Sequence, residues 1–439
     1  MEGNKRISRY GVEYIMKRLK VILIGAGNRG TVYTDEMGKR SEKFEVIAVA
    51  EPIESRRNDI KKKHNIPDEL CFEDWSQLLA LGKIADVAII STMDRQHFEP
   101  AMKAIDLKYH LLLEKPIAPT AKECKELSEN AKKNNVKVVV CTVLRYAPIF
   151  MTIKDIVDSG RLGNIISINH EECVGNIHQS HSFVRGNWGN ENKSTNMLLQ
   201  KTCHDFDLLQ WLLNKKCIKV QSFGALSYFC KENAPENTPT YCIEGCRLSE
   251  SCPYNAVKLY LEDKNNSWFR TTSTRLAAPT DEDVKKAITE TQYGKCVFKC
   301  DNDVVDHQTV NMLFEDNVTV QLTLCAFNKG GRALHIMGTK GELHAGLADD
   351  NGTYIDIYDF ETKSHQNIPV SGSDGVTGGH GGGDGGIVET LYSYLIEEYQ
   401  GVSVPDINIS SYNHLLVFAA ENSRHSGCVV DVEKYIKNV

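Results

Sequence analysis

No apolar run in the 439-residue chain approaches the ~18 residues a membrane-spanning helix needs. Nor is there a long basic run: Lys and Arg number 51 against 58 Asp and Glu, a formal net charge of −7. The first absence argues against a helical membrane protein. The second argues against nucleic acid or an anionic membrane as the main partner. The first twenty residues are too basic and polar for the apolar segment of a secretory signal. Residues 1–15, ahead of Met16, are expected to be an extension outside the fold, and the lack of targeting signals points to the cytoplasm. There is no internal repeat. What remains is ordinary globular composition, 41% hydrophobic and 25% charged. At roughly 100–200 residues per domain, the length predicts two or three domains.

From Leu19 onward, short β-rich runs alternate with helical stretches: strands at 19–24, 44–50, 85–91, 109–113 and 136–143, helices at 28–39, 95–107 and 120–134. Alternation of this kind implies βαβ crossovers and a parallel sheet. After residue 146 the rhythm changes. One helix at 151–159 leads to β-rich runs at 164–175, 217–229, 309–326, 332–346 and 353–370, with a helix at 197–214 and two closing helices at 387–400 and 411–425. The expected class is α/β, a dinucleotide-binding domain at 17–146 followed by an α/β domain at 147–439 with a large open, mostly antiparallel sheet. Residues 230–300 read as an irregular, cysteine-bearing insertion.

The first strand runs into Gly25-Ala26-Gly27-Asn28-Arg29-Gly30, a G-x-G-x-x-G that opens a helix. In that context Gly25 permits the turn, Gly27 lets backbone approach a pyrophosphate, and Gly30 lets helix and strand pack closely. The phosphates then meet free N–H groups at a helix N-terminus. The second strand ends in Glu51, whose carboxylate can accept from ribose hydroxyls and would repel a 2′-phosphate, so NAD is expected over NADP. Arg56 and Arg57 follow closely and are read as a solvated helix face. Asn28, Arg29 and Ser91 complete the expected cofactor contacts from this region.

Glu114-Lys115-Pro116 follows the strand 109–113. Together with the glycine motif it resembles the glucose–fructose oxidoreductase, inositol dehydrogenase and MocA (Gfo/Idh/MocA) superfamily. Arg145-Tyr146, Gly338-Thr339-Lys340-Gly341 and His204-Asp205-Phe206-Asp207 add to the resemblance, which spans about residues 17–435. It implies a Rossmann domain and NAD(P)-dependent oxidation or reduction of sugars, glycosides or cyclitols, with Lys115 near the nicotinamide and Glu114 beside the cofactor. Some members instead use bound NAD transiently to cleave glycosidic bonds, and a nicotinamide-sensing binding protein is a third reading. The superfamily's active-site helix reads D-x-x-x-H-x-x-D. Here Gln200, His204 and Asp207 hold those positions, so the first acid is missing and Lys201 stands beside it. A homodimer or homotetramer through the C-terminal sheet is expected.

The chemistry of these residues agrees with that assignment. Gln200, His204, Asp207 and Trp211 fall on one stripe of a helix. Removing a hydride from a carbinol carbon leaves a hydroxyl proton, and a histidine titrating near neutrality suits its acceptance. Gln200 can orient an imidazole but not stabilise its charge, so Asp205 or Asp207 would have to substitute. His178, His181, Arg185 and Trp188 lie in a loop ahead of this helix and suit sugar hydroxyls and ring faces, or an ordinary surface loop. His380 and Asp384 sit in the glycine-rich segment 378–386, read as a substrate contact or a linker.

Five of the fourteen cysteines cluster in the insertion: Cys242, Cys246, Cys252, Cys296 and Cys300. Four thiolates, with Cys300 as the fourth, satisfy a structural zinc ion. Disulfides and unpaired thiols are the alternatives.

Overall fold

The computed structural model describes residues 17–347, 353–370, 382–397 and 404–439, with the backbone of 6–9 and 12–15. Arg6–Arg9 pairs antiparallel with Val12–Ile15 as a two-stranded sheet that joins neither of the larger sheets. His380 lies outside the described residues.

The N-terminal sheet has six parallel strands in the order Cys71–Phe72, Phe44–Ala50, Leu19–Ile24, Val87–Ile90, His110–Leu113 and Val138–Val140. A parallel sheet must be covered on both faces. One face packs on the helices Phe98–Asp106 and Ala121–Lys133 through Ala101, Ile105 and Leu127. The other takes Tyr33 and Met37 from Asn28–Gly38 and Ile60 from Glu54–His64, a helix whose very polar sequence hides it from a periodicity search.

That second face is completed from far along the chain. Ile387, Val388 and Leu391 of the helix Gly383–Leu395 join the same core. The glycines at this helix start serve packing: a Cβ on Gly383 would stand 2.1 Å from the Val143 carbonyl oxygen, and one on Gly386 would stand 2.6 Å from the Tyr146 Cβ. Gly383 and Gly386, in a segment read from sequence as a substrate contact or a linker, here let a helix approach the 143–146 turn.

The C-terminal sheet has nine strands, in the order Ser364–Asn367, Thr353–Asp359, Gly341–Leu347, Gly331–Gly338, Ile165–Cys173, Thr319–Cys325, His307–Phe314, Cys217–Ala225 and Val430–Asp431. Ile165–Cys173 and Thr319–Cys325 pair parallel, and all other neighbours pair antiparallel. The expected long run at 309–326 is a hairpin, because Asp316 and Asn317 both adopt positive φ, where Asn and Asp are better tolerated than most side chains. The runs at 332–346 and 353–370 each divide into two strands as well.

The helices Met197–Leu213 and Ile407–Ser426 cover one face of this sheet through Leu198, Phe206, Leu416 and Ala420. The 230–300 segment is more ordered than its sequence suggests. It carries helices at Ser267–Thr274 and Asp281–Glu290, the second opened by a Thr280–Asp283 capping box. Its hydrophobic residues form two small cores, around Phe229, Tyr254 and Phe298 and around Tyr260, Phe269 and Ile288.

Candidate active site

The glycine loop leaves Leu19–Ile24 with Gly25 at φ +91°, where a Cβ would strike the Ser91 carbonyl at 2.6 Å. Gly30 is equally constrained, its Cβ position 2.2 Å from the Gly25 carbonyl oxygen. Gly27 differs: nothing lies within 4 Å of where its Cβ would be. The helix Asn28–Gly38 begins there with no side-chain cap and no acid in its first turn. An uncapped N-terminus opening on free space is what a pyrophosphate requires, so the residues fit a dinucleotide.

Glu51 lies beside that loop. One carboxylate oxygen accepts from the Ala26 N–H at 2.7 Å and the other from the Ile53 N–H at 3.0 Å. The carboxylate is thereby fixed between the loop and the next helix, and each oxygen keeps a second lone pair. Arg57 donates to the Glu51 carbonyl at 2.5 Å and to Glu73 at 3.3 Å. Ser91 donates its hydroxyl to the Gly25 carbonyl at 2.7 Å and so braces the loop from the neighbouring strand.

Arg29 and Asp384, expected as cofactor and substrate contacts, bind each other. Arg29 donates to both Asp384 oxygens at 2.5 and 3.2 Å, to Glu114 at 3.0 Å and to the Tyr33 hydroxyl at 2.6 Å. Burial opposes the Arg29 charge, yet Tyr33, Glu114 and Asp384 together lift its pKa above the ordinary value. For Glu114 burial likewise works against the charge, and Arg29 and Lys115 outweigh it, so its carboxyl stays below the usual range. These three side chains clamp the glycine-loop helix, the Glu-Lys-Pro turn and the Gly383–Leu395 helix together. Asp384 is buried in that clamp, which corrects its reading as a substrate group.

Lys115 precedes a cis peptide bond to Pro116. Two buried histidines hold the turn. His97 hydrogen-bonds the Pro116 and Thr92 carbonyls through its two ring nitrogens, and His414 accepts from the Ile117 N–H at 3.1 Å. The Lys115 ammonium donates to the backbone carbonyl of Gln200 at 2.9 Å. That contact joins the Rossmann domain to the first turn of Met197–Leu213, one turn before His204.

The predicted stripe on this helix divides in two. Gln200 and His204 lie at the Lys115 end. Asp207 is bound on the other side: it takes two hydrogen bonds from Arg145, both 2.6 Å, and one from Asn413 at 2.8 Å, and Arg145 lies over Trp211. Asp205, the other candidate to support His204, is bound to His170 at 2.7 Å and to Arg332 at 2.8 Å. Neither carboxylate therefore takes the missing acid's place.

Lys201 sits beside Glu172 at 3.1 Å, and Glu172 also meets Arg332 at 2.6 Å. His170, Glu172 and Arg332 were not singled out from sequence. His170 and Glu172 alternate with exposed positions on Ile165–Cys173 and so read as ordinary strand residues; only the fold shows that their inward face is polar.

The loop ahead of the helix separates similarly. His181 and Arg185, expected as substrate contacts, are buried. His181 hydrogen-bonds the Tyr260 hydroxyl at 2.8 Å and stacks on Phe269 at 4.1 Å, and burial, with Arg185 adding to it, pushes its pKa down to about 3. Arg185 donates to the Lys295 and Tyr254 carbonyls. Trp188 packs on the C-terminal core. These three anchor the loop and the insertion rather than present a binding face.

His178 is the loop residue nearest the chemistry. Burial, and then the charges of Lys201, His181 and Lys115, hold its pKa well below the ordinary value. Trp268, delivered by the insertion and 38% exposed, meets the His178 ring edge-on at 5.1 Å. Nothing in the local sequence marked Trp268, because it comes from ninety residues further along. Lys115, Gln200, Lys201 and His204 thus meet where the Glu-Lys-Pro turn reaches Met197–Leu213, with His178 in the fields of Lys115 and Lys201 and Trp268 against His178.

Comparison with known proteins agrees with this layout. Residues 19–142 match the profile of the oxidoreductase family's NAD-binding Rossmann fold, and residues 154–378 match its C-terminal alpha/beta domain. A Bacillus subtilis (strain 168) protein named as an oxidoreductase, YteT, is 23% identical over 81% of this chain and 84% of its own length. The inositol 2-dehydrogenase of Salmonella typhimurium is 26% identical over 46% of this chain and 57% of its own length. Among solved structures, an Agrobacterium radiobacter oxidoreductase in complex with NAD+, L-tartaric acid and magnesium superposes with a TM-score of 0.68. It is 14% identical, over 95% of this chain and 99% of that one.

Proposed function

Since the chain belongs to the Gfo/Idh/MocA oxidoreductase family, we propose that it transfers a hydride between NAD and a ring hydroxyl of a sugar, glycoside or cyclitol, with Lys115 and His204 as its catalytic residues. The observation that carries this reading is the 2.9 Å hydrogen bond from Lys115 to the Gln200 carbonyl, which sets the lysine against the helix bearing His204.

The bound nicotinamide would accept the carbinol hydride when the reaction runs as an oxidation. The hydroxyl proton then needs an acceptor, and the His204 imidazole takes that role. The Lys115 ammonium donates to the same oxygen as it becomes a carbonyl, and polarises it in the reverse direction. Lys201 and His178 supply polar groups for neighbouring hydroxyls, and Trp268 offers a ring face to an apolar sugar face. Glu51 supports NAD over NADP, because its fixed carboxylate would oppose a 2′-phosphate and Arg57, bound to the Glu51 carbonyl and Glu73, is already engaged. The named activity of the inositol relative supports the hydroxyl class. We place subunit contacts on the open face of the nine-stranded sheet, where Ile166, Phe223 and Tyr354 are exposed. Zinc, expected at the cysteine segment, would be structural and outside the reacting centre.

The test is a panel of sugars, glycosides and cyclitols followed by NADH absorbance, with aglycone release measured in parallel. Stoichiometric NADH from at least one of them is the expected result. Aglycone release without net NADH would replace dehydrogenation by redox-neutral cleavage, and neither signal across the panel would overturn both.

A further inference from the structure

Cys242, Cys246, Cys252 and Cys296 line one small cavity in the insertion, together with Leu248, Phe298, Thr238 and Asn255 among others. The four come from separate turns drawn together by backbone pairing: Tyr241 bridges Lys295, and the Cys296 N–H donates to the Thr240 carbonyl at 2.8 Å. All are free thiols. Cys300, expected from sequence as the fourth ligand, does not line the cavity; its Sγ donates to the Cys296 carbonyl at 3.4 Å. The spacing of the cysteines could not separate Cys296 from Cys300, because both follow the same turn.

Arg185 stands at this cavity. Its guanidinium is fully buried, bound to the Lys295 carbonyl at 2.8 Å and the Tyr254 carbonyl at 2.7 Å, and its third contact is the Cys242 sulfur at 3.7 Å. None of these partners is a carboxylate, and its remaining nitrogen, Nη1, has no hydrogen-bond partner among the described residues. A cation taken out of water without a counter-charge is strongly unfavourable. Four neutral thiols give it none. Four thiolates around a divalent metal ion, or around an iron–sulfur cubane of charge +2, carry a net charge of −2 next to the guanidinium.

We propose that Cys242, Cys246, Cys252 and Cys296 hold a four-thiolate metal centre whose counter-ion is Arg185. Each sulfur exchanges its proton for a metal bond, and no group changes oxidation state. Two metals share this ligand chemistry. Tetrahedral zinc, with Zn–S near 2.3 Å, draws its sulfurs to about 3.8 Å of one another. Among the described residues, no three of these sulfurs lie within 4.8 Å of one another. An iron–sulfur cluster places each thiolate on its own iron, so its sulfurs stand further apart than those of a zinc site. In either form the centre ties together a segment that has two small hydrophobic cores, and that segment carries Trp268.

The experiment is metal and acid-labile sulfide analysis of the full chain, purified anaerobically without an affinity tag, together with its visible spectrum. The expected result is about four irons and four sulfides per chain with visible charge-transfer absorbance. About one zinc per chain in a colourless protein supports the same centre in its closed form. Cys296→Ser should lower the bound metal at least tenfold and Cys300→Ser should leave it unchanged, a contrast that a generally destabilised segment would not produce. Arg185→Gln should make the metal exchange faster with a chelator. A folded wild-type chain that holds neither metal, as purified and after reconstitution with zinc or with iron and sulfide, overturns the proposal. Loss of metal in Cys300→Ser with retention in Cys296→Ser overturns the ligand set.

Discussion

Arg145 and Asp207 form a bidentate ion pair, 2.6 Å through each nitrogen, with both side chains 1% exposed. Arg145 ends the Rossmann domain and Asp207 lies in the middle of the helix that carries His204, so the pair fixes the angle at which that helix meets the cofactor domain. Asp207 is thereby a positioning residue. Asp207→Asn takes one charge out of this buried bidentate pair, and breaking such a pair costs about 3–5 kcal/mol. Urea unfolding should show a loss of that size, while turnover per folded molecule falls less than tenfold. A stable Asp207→Asn enzyme without turnover would restore the carboxylate to the chemistry.

Lys115→Ala and His204→Ala should each lower single-turnover hydride transfer by about 10²–10⁴-fold, the usual range for removing a positioned acid–base group. NAD affinity should stay within a few-fold, because the dinucleotide rests on the glycine loop and Glu51. Gln200→Ala should be mild, since Lys115 binds the Gln200 backbone carbonyl, which the substitution keeps. Near-normal turnover in His204→Ala would remove it as the proton acceptor.

Glu51→Ala should lower NAD affinity and narrow the preference over NADP. The substitution takes away both the ribose acceptor and the charge opposing a 2′-phosphate. It also frees the Ala26 and Ile53 N–H groups that the carboxylate now holds. Cofactor titrations of the two proteins measure this, and a wild type that binds NADP as tightly as NAD would contradict it.

Acid should destabilise the fold through its buried neutral histidines. Burial, opposed by the Ser410 carbonyl and Asp207 and aided by Lys115 and His97, depresses the His414 pKa to about 4, and its Nε2 accepts from the Ile117 N–H only while unprotonated. The unfolded chain has the ordinary histidine value near 6.5. Between those values it binds more protons than the folded chain, so stability is whole above pH 6.5 and falls as pH drops toward 4. His414 alone accounts for on the order of 3 kcal/mol over that window, and His181 acts in the same direction. Stability curves of His414→Gln should be flatter than wild type between pH 6.5 and 4. Identical slopes would refute the assignment.

The cofactor half was legible in the sequence because its physics is local. Gly25, Gly27, Gly30 and Glu51 act through a turn, an open helix end and a strand end, all within 27 consecutive residues. The active-site helix was legible as a stripe, but the stripe could not say which members face the reacting centre. Arg145, which claims Asp207, lies 62 positions away in sequence. Asp384 reads as a polar group in a glycine-rich loop until the fold brings it to Arg29, 355 positions earlier. The same separation hid Trp268. What the sequence concealed were partners brought together by tertiary structure, not residue chemistry.

Trp268 gives the most direct test of whether the insertion takes part in substrate recognition. It is exposed, yet held edge-on against His178 at 5.1 Å and His181 at 4.8 Å, and His178 lies within the fields of Lys115 and Lys201. An aromatic face fixed against His178 can stack on the apolar face of a sugar ring, an interaction of about 0.5–1.5 kcal/mol. Trp268→Ala should therefore raise KM roughly threefold to tenfold for the best hydroxyl substrate, with kcat within twofold. Trp268→Phe should recover most of the difference, because a smaller ring still stacks. NADH-coupled kinetics on the three proteins separate the possibilities. A fall in kcat at constant KM would place Trp268 in the support of His178, and no change in either would mean that the insertion stands clear of the substrate.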